Sequence, residues 1–139
     1  MSLRRGLAAV ACAALLIAPA SALGARSVGT SGQIAWVRSA ASRFVTAELE
    51  GNGASACGVL NAPLRATEHH RTCTQRWDAK LASILREPGG RARLRTQEHE
   101  ISSAAVIVHG NLASLELPTS LLGGSNQLVW SENCWMLKG

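Results

Sequence analysis

The side chains best suited to chemistry cluster between two cysteines. Cys57 and Cys73 bracket the segment "GVLNAPLRATEHHRT", in which His69 and His70 stand next to each other. Thiolate and imidazole groups can together hold a metal ion, paired thiols can exchange electrons, and two cysteines can close a structural disulfide. The spacing of these residues favours one of the three.

A metal site is disfavoured, because adjacent histidines on a helix point about 100 degrees apart. The chain also lacks the Cys-x-x-Cys spacing of zinc sites and thioredoxin-type redox centres. We therefore predict a disulfide between Cys57 and Cys73, with no metal and no cofactor. Cys134 is then expected to be a buried free thiol, although the sequence also allows it to pair with either of the other two.

Acid or base chemistry has few candidates. Glu98 and His99 lie in the polar segment "RARLRTQEHEI", whose alternation predicts a strand with Glu98 and Glu100 on one face. A polar strand at a sheet edge accounts for the same residues without chemistry, and His109 precedes a tight turn and should be exposed. No Gly-x-Ser-x-Gly elbow is present. We predict no catalytic residue and name Glu98 and His99 only as weak acid/base candidates.

Tryptophan is the prominent aromatic residue, with four copies against one phenylalanine and no tyrosine. Most of these rings should pack in the core. Trp36 falls off the apolar stripe of its helix, and Trp130 lies near a strand end. We predict that these two line a pocket for a hydrophobic or ring-containing ligand.

The net charge of +5 comes mainly from scattered arginines. Arg91, Arg93 and Arg95 alternate along the predicted polar strand and would share one face. Aromatic residues are not interleaved with them, so we predict no nucleic-acid partner. Such a basic stripe favours a weak attraction for anionic polymers of the cell envelope.

Hydrophobic periodicity gives the elements that must position these residues. Thr30 and Gln33 fit a capping box at the start of a helix that Gly51 ends. Two further helices are predicted over residues 54–60 and 67–86. The apolar stripe of the first helix consists of Ile34, Val37, Ala41, Phe44 and Ala47 or Glu48.

After Gly90 the pattern alternates, which predicts the polar strand and then two hairpins. Their turns are expected at Gly110-Asn111 and at Glu132-Asn133. Helices followed by strands predict an α+β domain, in which N-terminal helices pack on one face of an antiparallel sheet.

The N-terminus has the pattern of a secretory signal peptide. Arg4 and Arg5 precede an apolar run over residues 7–17, which is followed by small residues. This run is shorter than the roughly 20 residues of a membrane-spanning helix, and no later segment approaches that length. Lipidation is disfavoured because Cys12 lies inside the run. We predict a signal peptide at 1–22, a flexible lead-in at 23–31, one domain at 32–139, and a secreted or periplasmic location.

The order of these features resembles small exported bacterial proteins of the nuclear transport factor 2-like superfamily. In those proteins a Gly-Asn or Gly-Asp turn ends the first helix, an Ala-Cys pair follows, and a Gly-Asn or Gly-Asp hairpin precedes an alanine. A Trp-x-Leu strand then closes the chain. The matching residues are Gly51-Asn52, Ala56-Cys57, Gly110-Asn111 with Ala113, and Trp135-Met136-Leu137.

The resemblance implies a cone-shaped, cystatin-like roll, in which a curved sheet wraps the first helix and leaves a cavity at its open end. Ketosteroid isomerases of this superfamily use a cavity carboxylate and commonly a tyrosine. Here tyrosine is missing and Asp78 is the only aspartate, on what should be a solvated helix face.

We therefore expect an exported, non-enzymatic binding or accessory module for a small hydrophobic ligand or an envelope protein. One alternative is a cavity acid/base enzyme of the isomerase, dehydratase or hydrolase type. The other is a structural module of the envelope that forms a homodimer through its sheet face. Apolar residues on the outer sheet face, such as Ile107, would favour the dimer.

Overall fold

The computed structural model describes residues 26–121 and 125–139, and within them the protein has an α+β fold. Five helices precede a sheet of four strands. The predicted fold class is confirmed. The elements are α1 (Ser31–Glu50), α2 (Gly53–Cys57), α3 (Ala62–Arg65), α4 (Cys73–Arg86), α5 (Gly90–Ser103), β1 (Ala105–His109), β2 (Leu112–Glu116), β3 (Gln127–Ser131) and β4 (Cys134–Lys138).

The capping signals that the sequence predicts for α1 are present. The backbone N–H of Gln33 donates to Thr30 Oγ1 at 3.1 Å, and the backbone N–H of Thr30 donates to Gln33 Oε1 at 3.0 Å. Gly51 ends the helix with a φ of 66°, a left-handed conformation that glycine adopts without a steric cost. The helix therefore begins and ends where its local sequence directs.

The four strands form an antiparallel meander in the order β1-β2-β3-β4. Both hairpins turn where the sequence predicts, at Gly110-Asn111 and at Glu132-Asn133. One row of side chains crosses all four strands and is buried against the helices. It consists of Val108, Ala113, Leu128 and Leu137.

The core lies between this face and the helices, with α1 at its centre. Val37, Ala41 and Phe44 of α1 are fully buried. Phe44 meets the ring of Trp77 on α4 edge to face, with 5.3 Å between centroids. Burial of such large side chains supplies the main driving force for folding.

The disulfide between Cys57 and Cys73 is confirmed, and it joins the end of α2 to the start of α4. The helices around it differ from their predicted limits. The predicted helix over 54–60 ends at Cys57, and α3 follows as a separate turn. The predicted helix over 67–86 begins at Cys73, because Thr72 forms a capping box with Gln75.

The polar strand predicted for "RARLRTQEHEI" is wrong, because this segment forms most of α5. Its arginines, glutamates, leucine and alanine are strong helix formers. The buried residues Gly90, Leu94, Gln97 and Ile101 recur every three or four positions, which is a helical period. One of these four buried residues, Gln97, is polar. The helical period is therefore incomplete when only apolar residues are followed along the sequence.

The shared face predicted for Arg91, Arg93 and Arg95 is therefore wrong for Arg93, while Arg91 and Arg95, four positions apart, lie on one side of α5. Residues two positions apart on a helix point in different directions. Arg91 donates to the backbone carbonyl of Leu49, and Arg93 lies 2.8 Å from a carboxylate oxygen of Glu87. These two side chains bind other parts of the fold.

Both edges of the sheet are covered by backbone. Val28 bridges Ile107 beside β1, and Leu60 bridges Leu137 beside β4. The backbone N–H of Val106 also donates to the hydroxyl of Ser27 at 3.0 Å. The lead-in predicted to be flexible is thus attached to the sheet in its described part, and the covered edges disfavour pairing with other chains.

The predicted signal peptide, residues 1–22, lies outside the described residues. Within the part of the chain that the structure describes, no helix combines the length and the apolar character needed to cross a membrane.

Candidate functional site

A cavity of about 510 Å³ opens where α1, α4, α5 and residues 119–121 meet. Cavities of this size are typical of sites for small molecules. Ile84, Leu94 and Leu121 give it apolar walls, and polar groups come from both α1 and α5. This mixture makes the cavity the strongest candidate site of the protein.

Glu48 is the most unusual residue of the cavity. It lies in the last turn of α1 and is only 5% exposed. Burial raises the pKa of Glu48 from its ordinary value of 4.5 to about 7, while the positive charge of Lys80 partly opposes the rise. Its Oε2 atom is buried and has no hydrogen-bond partner among the described residues.

Helix geometry explains why Glu48 is buried. It follows Phe44 by four positions and Ala41 by seven, so the three side chains share one face of α1. Phe44 and Ala41 are both fully buried. The sequence carried a signal for this, since the predicted apolar stripe of α1 ends on Ala47 or Glu48.

Lys80 of α4 also lines the cavity, but its ammonium group packs against an aromatic ring and not against a carboxylate. Its ammonium lies over the indole of Trp77, 4.4 Å from the ring centroid, in a cation–π arrangement. Within residues 26–121 and 125–139 it makes no ion pair with a carboxylate. The positive charge of Lys80 therefore acts on Glu48 through space, without an ion pair between the two side chains.

Gln97 of α5 fixes the segment that closes the cavity. Its side-chain amide donates to the carbonyl of Ser120 at 3.1 Å and lies 3.4 Å from the hydroxyl oxygen of Thr119. The backbone N–H of Leu121 donates to the side chain of Asn126 at 2.7 Å. These bonds hold residues 119–121 in place against α5.

Glu100 lies one helical turn after Gln97 and also lines the cavity. Its Oε2 atom is buried and lacks a hydrogen-bond partner within the described part of the chain. Two carboxylates from two helices thus line the cavity, and each has a buried oxygen that finds no partner among the described residues.

The weak acid/base candidates named from the sequence do not line this cavity. Glu98 is half-buried and His99 is exposed on α5. Their predicted separation onto two faces of a strand is wrong because the segment is helical. The helix brings Gln97 and Glu100 to the cavity instead, through their three-residue spacing.

Trp36 and Trp130, the predicted pocket residues, lie against each other. Their rings are stacked with 5.9 Å between centroids and an interplanar angle of 8°. Trp130 also meets Trp135 edge to face at 5.6 Å. Trp36 is 51% exposed, so the stack presents an aromatic surface at a place apart from the cavity.

Asp78 has a structural partner. The backbone N–H of Gly53, at the start of α2, donates to its Oδ1 at 2.8 Å. A carboxylate in this position satisfies a free N–H and interacts favourably with the positive end of a helix. Asp78 is otherwise exposed, which agrees with the solvated helix face that the sequence predicts.

The two histidines of the disulfide loop lie in a tight turn and not on a helix. His69 and His70 have φ values of 49° and 61°, and both are exposed. Among the described residues, no group of three or more His, Cys, Asp or Glu side chains could hold a metal ion. Cys134 is free, as predicted, but it is half-buried where a buried thiol was expected.

A second groove, of about 520 Å³, runs between α1 and α2. Its polar side chains, such as Ser39, Arg43 and Glu50, are exposed to solvent. Water satisfies such groups without a ligand, so this groove gives less reason to expect one.

Comparison of the chain with protein-family models, with curated proteins and with solved structures gives no match.

Proposed function

We propose that this protein is an exported binding module that holds a small ligand in the cavity between α1, α4 and α5. The observation that carries the proposal is Glu48, whose carboxyl group is buried, lines the cavity and has an unpartnered Oε2 among the described residues. Buried polar atoms are nearly always paired in native proteins. A ligand that donates a hydrogen bond would supply the missing partner.

The remaining walls suit a molecule with an apolar body. Ile84, Leu94 and Leu121 provide hydrophobic contact, and a few polar groups would fix its orientation. This extends the hydrophobic ligand expected from the sequence, because the site now includes a carboxyl group. That Trp36 and Trp130 line a pocket for a hydrophobic or ring-containing ligand stays a prediction, and their stack lies apart from this cavity.

Two features support export. The disulfide between Cys57 and Cys73 is of the kind that persists in oxidising compartments outside the cytosol. The charged and apolar pattern of residues 1–22 is that of a signal peptide. A protein located in the periplasm or outside the cell would meet small molecules from the environment or the envelope.

Membership of the nuclear transport factor 2-like superfamily is also proposed. It is supported by the order of elements and by the hairpin at Gly110-Asn111, with Ala113 following. A crystal structure in which the sheet lies flat, without wrapping α1, would contradict it.

Native mass spectrometry of the protein purified from its own host tests the binding function. The expected result is an added mass of a few hundred daltons that disappears on denaturation and is lost in Glu48→Gln. A bare mass, together with failure of the host's small-molecule extract to raise the melting temperature, would contradict the proposal. Glu50→Gln on the same helix serves as the matched control, because Glu50 is exposed.

A cavity acid/base enzyme is the second candidate, and the pKa of Glu48 favours it. A carboxyl group with a pKa of about 7 can both accept and donate protons near neutral pH. In this case Glu48 replaces Glu98 and His99 as the acid/base residue. Mass analysis of the captured molecule after incubation would decide, since conversion by the natural protein but not by Glu48→Gln indicates an enzyme.

A homodimer through the sheet face is the remaining alternative. Leu112 is 45% exposed on the outer face, and the half-buried Val129 lies beside it in the register. Ile107, the residue named from the sequence, is half-buried on the same face. Sedimentation equilibrium tests this directly: a monomer mass at 100 µM, a concentration on the order of that where weak dimers form, would argue against it.

A further inference from the structure

Two helices each contribute one carboxylate to the lining of the same cavity. Glu48 belongs to α1 and Glu100 to α5, and the buried Oε2 atom of each lacks a hydrogen-bond partner among the described residues. Carboxylates accept hydrogen bonds and donate none when ionised. In their ionised forms both residues therefore need hydrogen-bond donors as partners.

The charged groups around Glu48 do not supply these donors. From α4, Lys80 lies over the ring of Trp77. From α5, Arg93 pairs with Glu87 at 2.8 Å, which leaves Glu100 as the other titratable group facing the cavity. The described part of the segment that closes the cavity, residues 119–121, contains no titratable side chain.

We propose that the cavity binds a small organic cation, a protonated amine on an apolar body, with its ammonium group donating to Glu48 and to Glu100. This inference rests on the binding function proposed above and names the ligand class of that site. An ammonium group is the chemical match because it offers three donors and the charge that two carboxylates need. The apolar body would lie against Ile84, Leu94 and Leu121.

Proton linkage follows from this geometry. The cation binds the ionised form of Glu48, whose pKa is about 7 in the free protein because of its burial. Below that pH, binding must release a proton, so the affinity should fall by up to about tenfold for each unit of pH. An uncharged ligand of the same shape should not show this dependence.

The test is an amide NMR titration of the secreted protein, with its disulfide intact, at pH 8. The probes are cyclohexylamine, cyclohexanol and cyclohexanecarboxylate, which share one apolar ring and differ in charge. Cyclohexylamine should shift the amide signals of residues 48, 97–100 and 119–121. Its affinity should exceed that of cyclohexanol by about tenfold or more, as for a hydrogen bond to a charged group.

Two variants test whether the cation binds at Glu48. Glu48→Gln should lower the cyclohexylamine affinity about tenfold or more and change that of cyclohexanol much less, because only the amine loses the attraction of opposite charges, and Glu50→Gln should behave as the natural protein does. The comparison of the three probes uses the natural chain, so the test does not depend on the folding of a variant.

The outcomes separate the two proposals. Equal affinities for cyclohexylamine and cyclohexanol at the cavity would overturn the cation inference and leave the binding function standing. Tighter binding of cyclohexanecarboxylate would also overturn it. If none of the three probes shifts the cavity amides, while binding of host molecules fails as well, both proposals are wrong.

Discussion

At the scale of single residues, the proposed ligand site depends on the buried Glu48. A glutamate at the end of a helix is ordinarily solvated, but here it shares a face with two fully buried residues of α1, Ala41 and Phe44. Burial favours its neutral form and raises its pKa to about 7. Glu48 also lines the cavity, and its buried Oε2 has no hydrogen-bond partner among the described residues.

Glu48 should make stability depend on pH. Its pKa rises from 4.5 to about 7 on folding, so between these values the folded state binds a proton that the unfolded state has released. The contribution of Glu48 to the free energy of unfolding should be highest near or below pH 4.5. It should fall by up to about 3 kcal/mol as the pH rises to 7.

Urea unfolding of the natural protein and of Glu48→Gln at pH 5, 6 and 7.5 measures this contribution. The variant, which cannot ionise, should lose the decline that Glu48 causes. The exposed Glu50→Gln should retain it. A decline of equal size in all three proteins would assign the pH dependence to other groups.

At the scale of elements, the disulfide determines how α2 and α4 meet. It joins a five-residue helix, which has little stability of its own, to the well-capped α4. Asp78 supports the same junction, because it accepts a hydrogen bond from the backbone of Gly53. Removal of the cross-link should therefore loosen α2 first.

The double substitution Cys57→Ser with Cys73→Ser should lower the free energy of unfolding by about 3 kcal/mol, the amount expected for a loop of this length. Chemical denaturation followed by tryptophan fluorescence gives the value. Cys134→Ser is the matched control and should change stability by less than about 1 kcal/mol, since this thiol is free and half-buried. A similar loss in both proteins would contradict the assigned role of the cross-link.

The connection between α4 and α5 depends on Gly90. A Cβ atom at this position would meet the backbone carbonyl of Ile84, which cannot move without disturbing the end of α4. Gly90→Ala should thus lower the free energy of unfolding by about 2 kcal/mol and alter the cavity that α5 lines.

Gly32→Ala, in α1, is the comparison for this substitution. There the nearest atom to an added Cβ is Thr30 Oγ1 at 4.0 Å, and alanine is the better helix former. Gly32→Ala should be neutral or stabilising by up to about 1 kcal/mol in the same unfolding assay. Equal losses for the two variants would argue against close packing at Gly90.

At the scale of the whole molecule, the fold stacks helices on one face of a sheet whose two edges are covered by Val28 and Leu60. The cavity lies where three helices meet and is bounded by the segment after the first hairpin. Binding in it would connect parts of the chain that are far apart in sequence, so a ligand should also stabilise the fold.

Intact mass spectrometry of the protein from its host tests the export prediction. The chain should begin after residue 20 or 22 and weigh two hydrogens less than its fully reduced form, as one disulfide requires. A full-length chain with all thiols reduced would contradict both the signal peptide and the oxidising location.

Local sequence determined much of this architecture. Thr30 and Gln33 begin α1, Gly51 ends it, and the two hairpins turn where short-range signals place them. The sequence favoured the Cys57–Cys73 disulfide over a metal or redox site, and the structure decided between this pairing and those with Cys134 that the sequence left open. The caps and turns depend on residues that are close along the chain, and the disulfide depends on cysteine, which has few possible roles in a protein.

Tertiary structure decided the rest. An alternation of arginines read as a strand became α5, because the segment consists mostly of helix formers and its buried residues Leu94, Gln97 and Ile101 recur at a helical period that becomes visible only in the packed structure. Glu48 stood on an apolar stripe, but only the packing of α1 against α4 and α5 places its carboxyl group in a cavity with Glu100. Desolvation and cavity shape arise from residues that are distant in sequence, so the pattern along the chain cannot determine them.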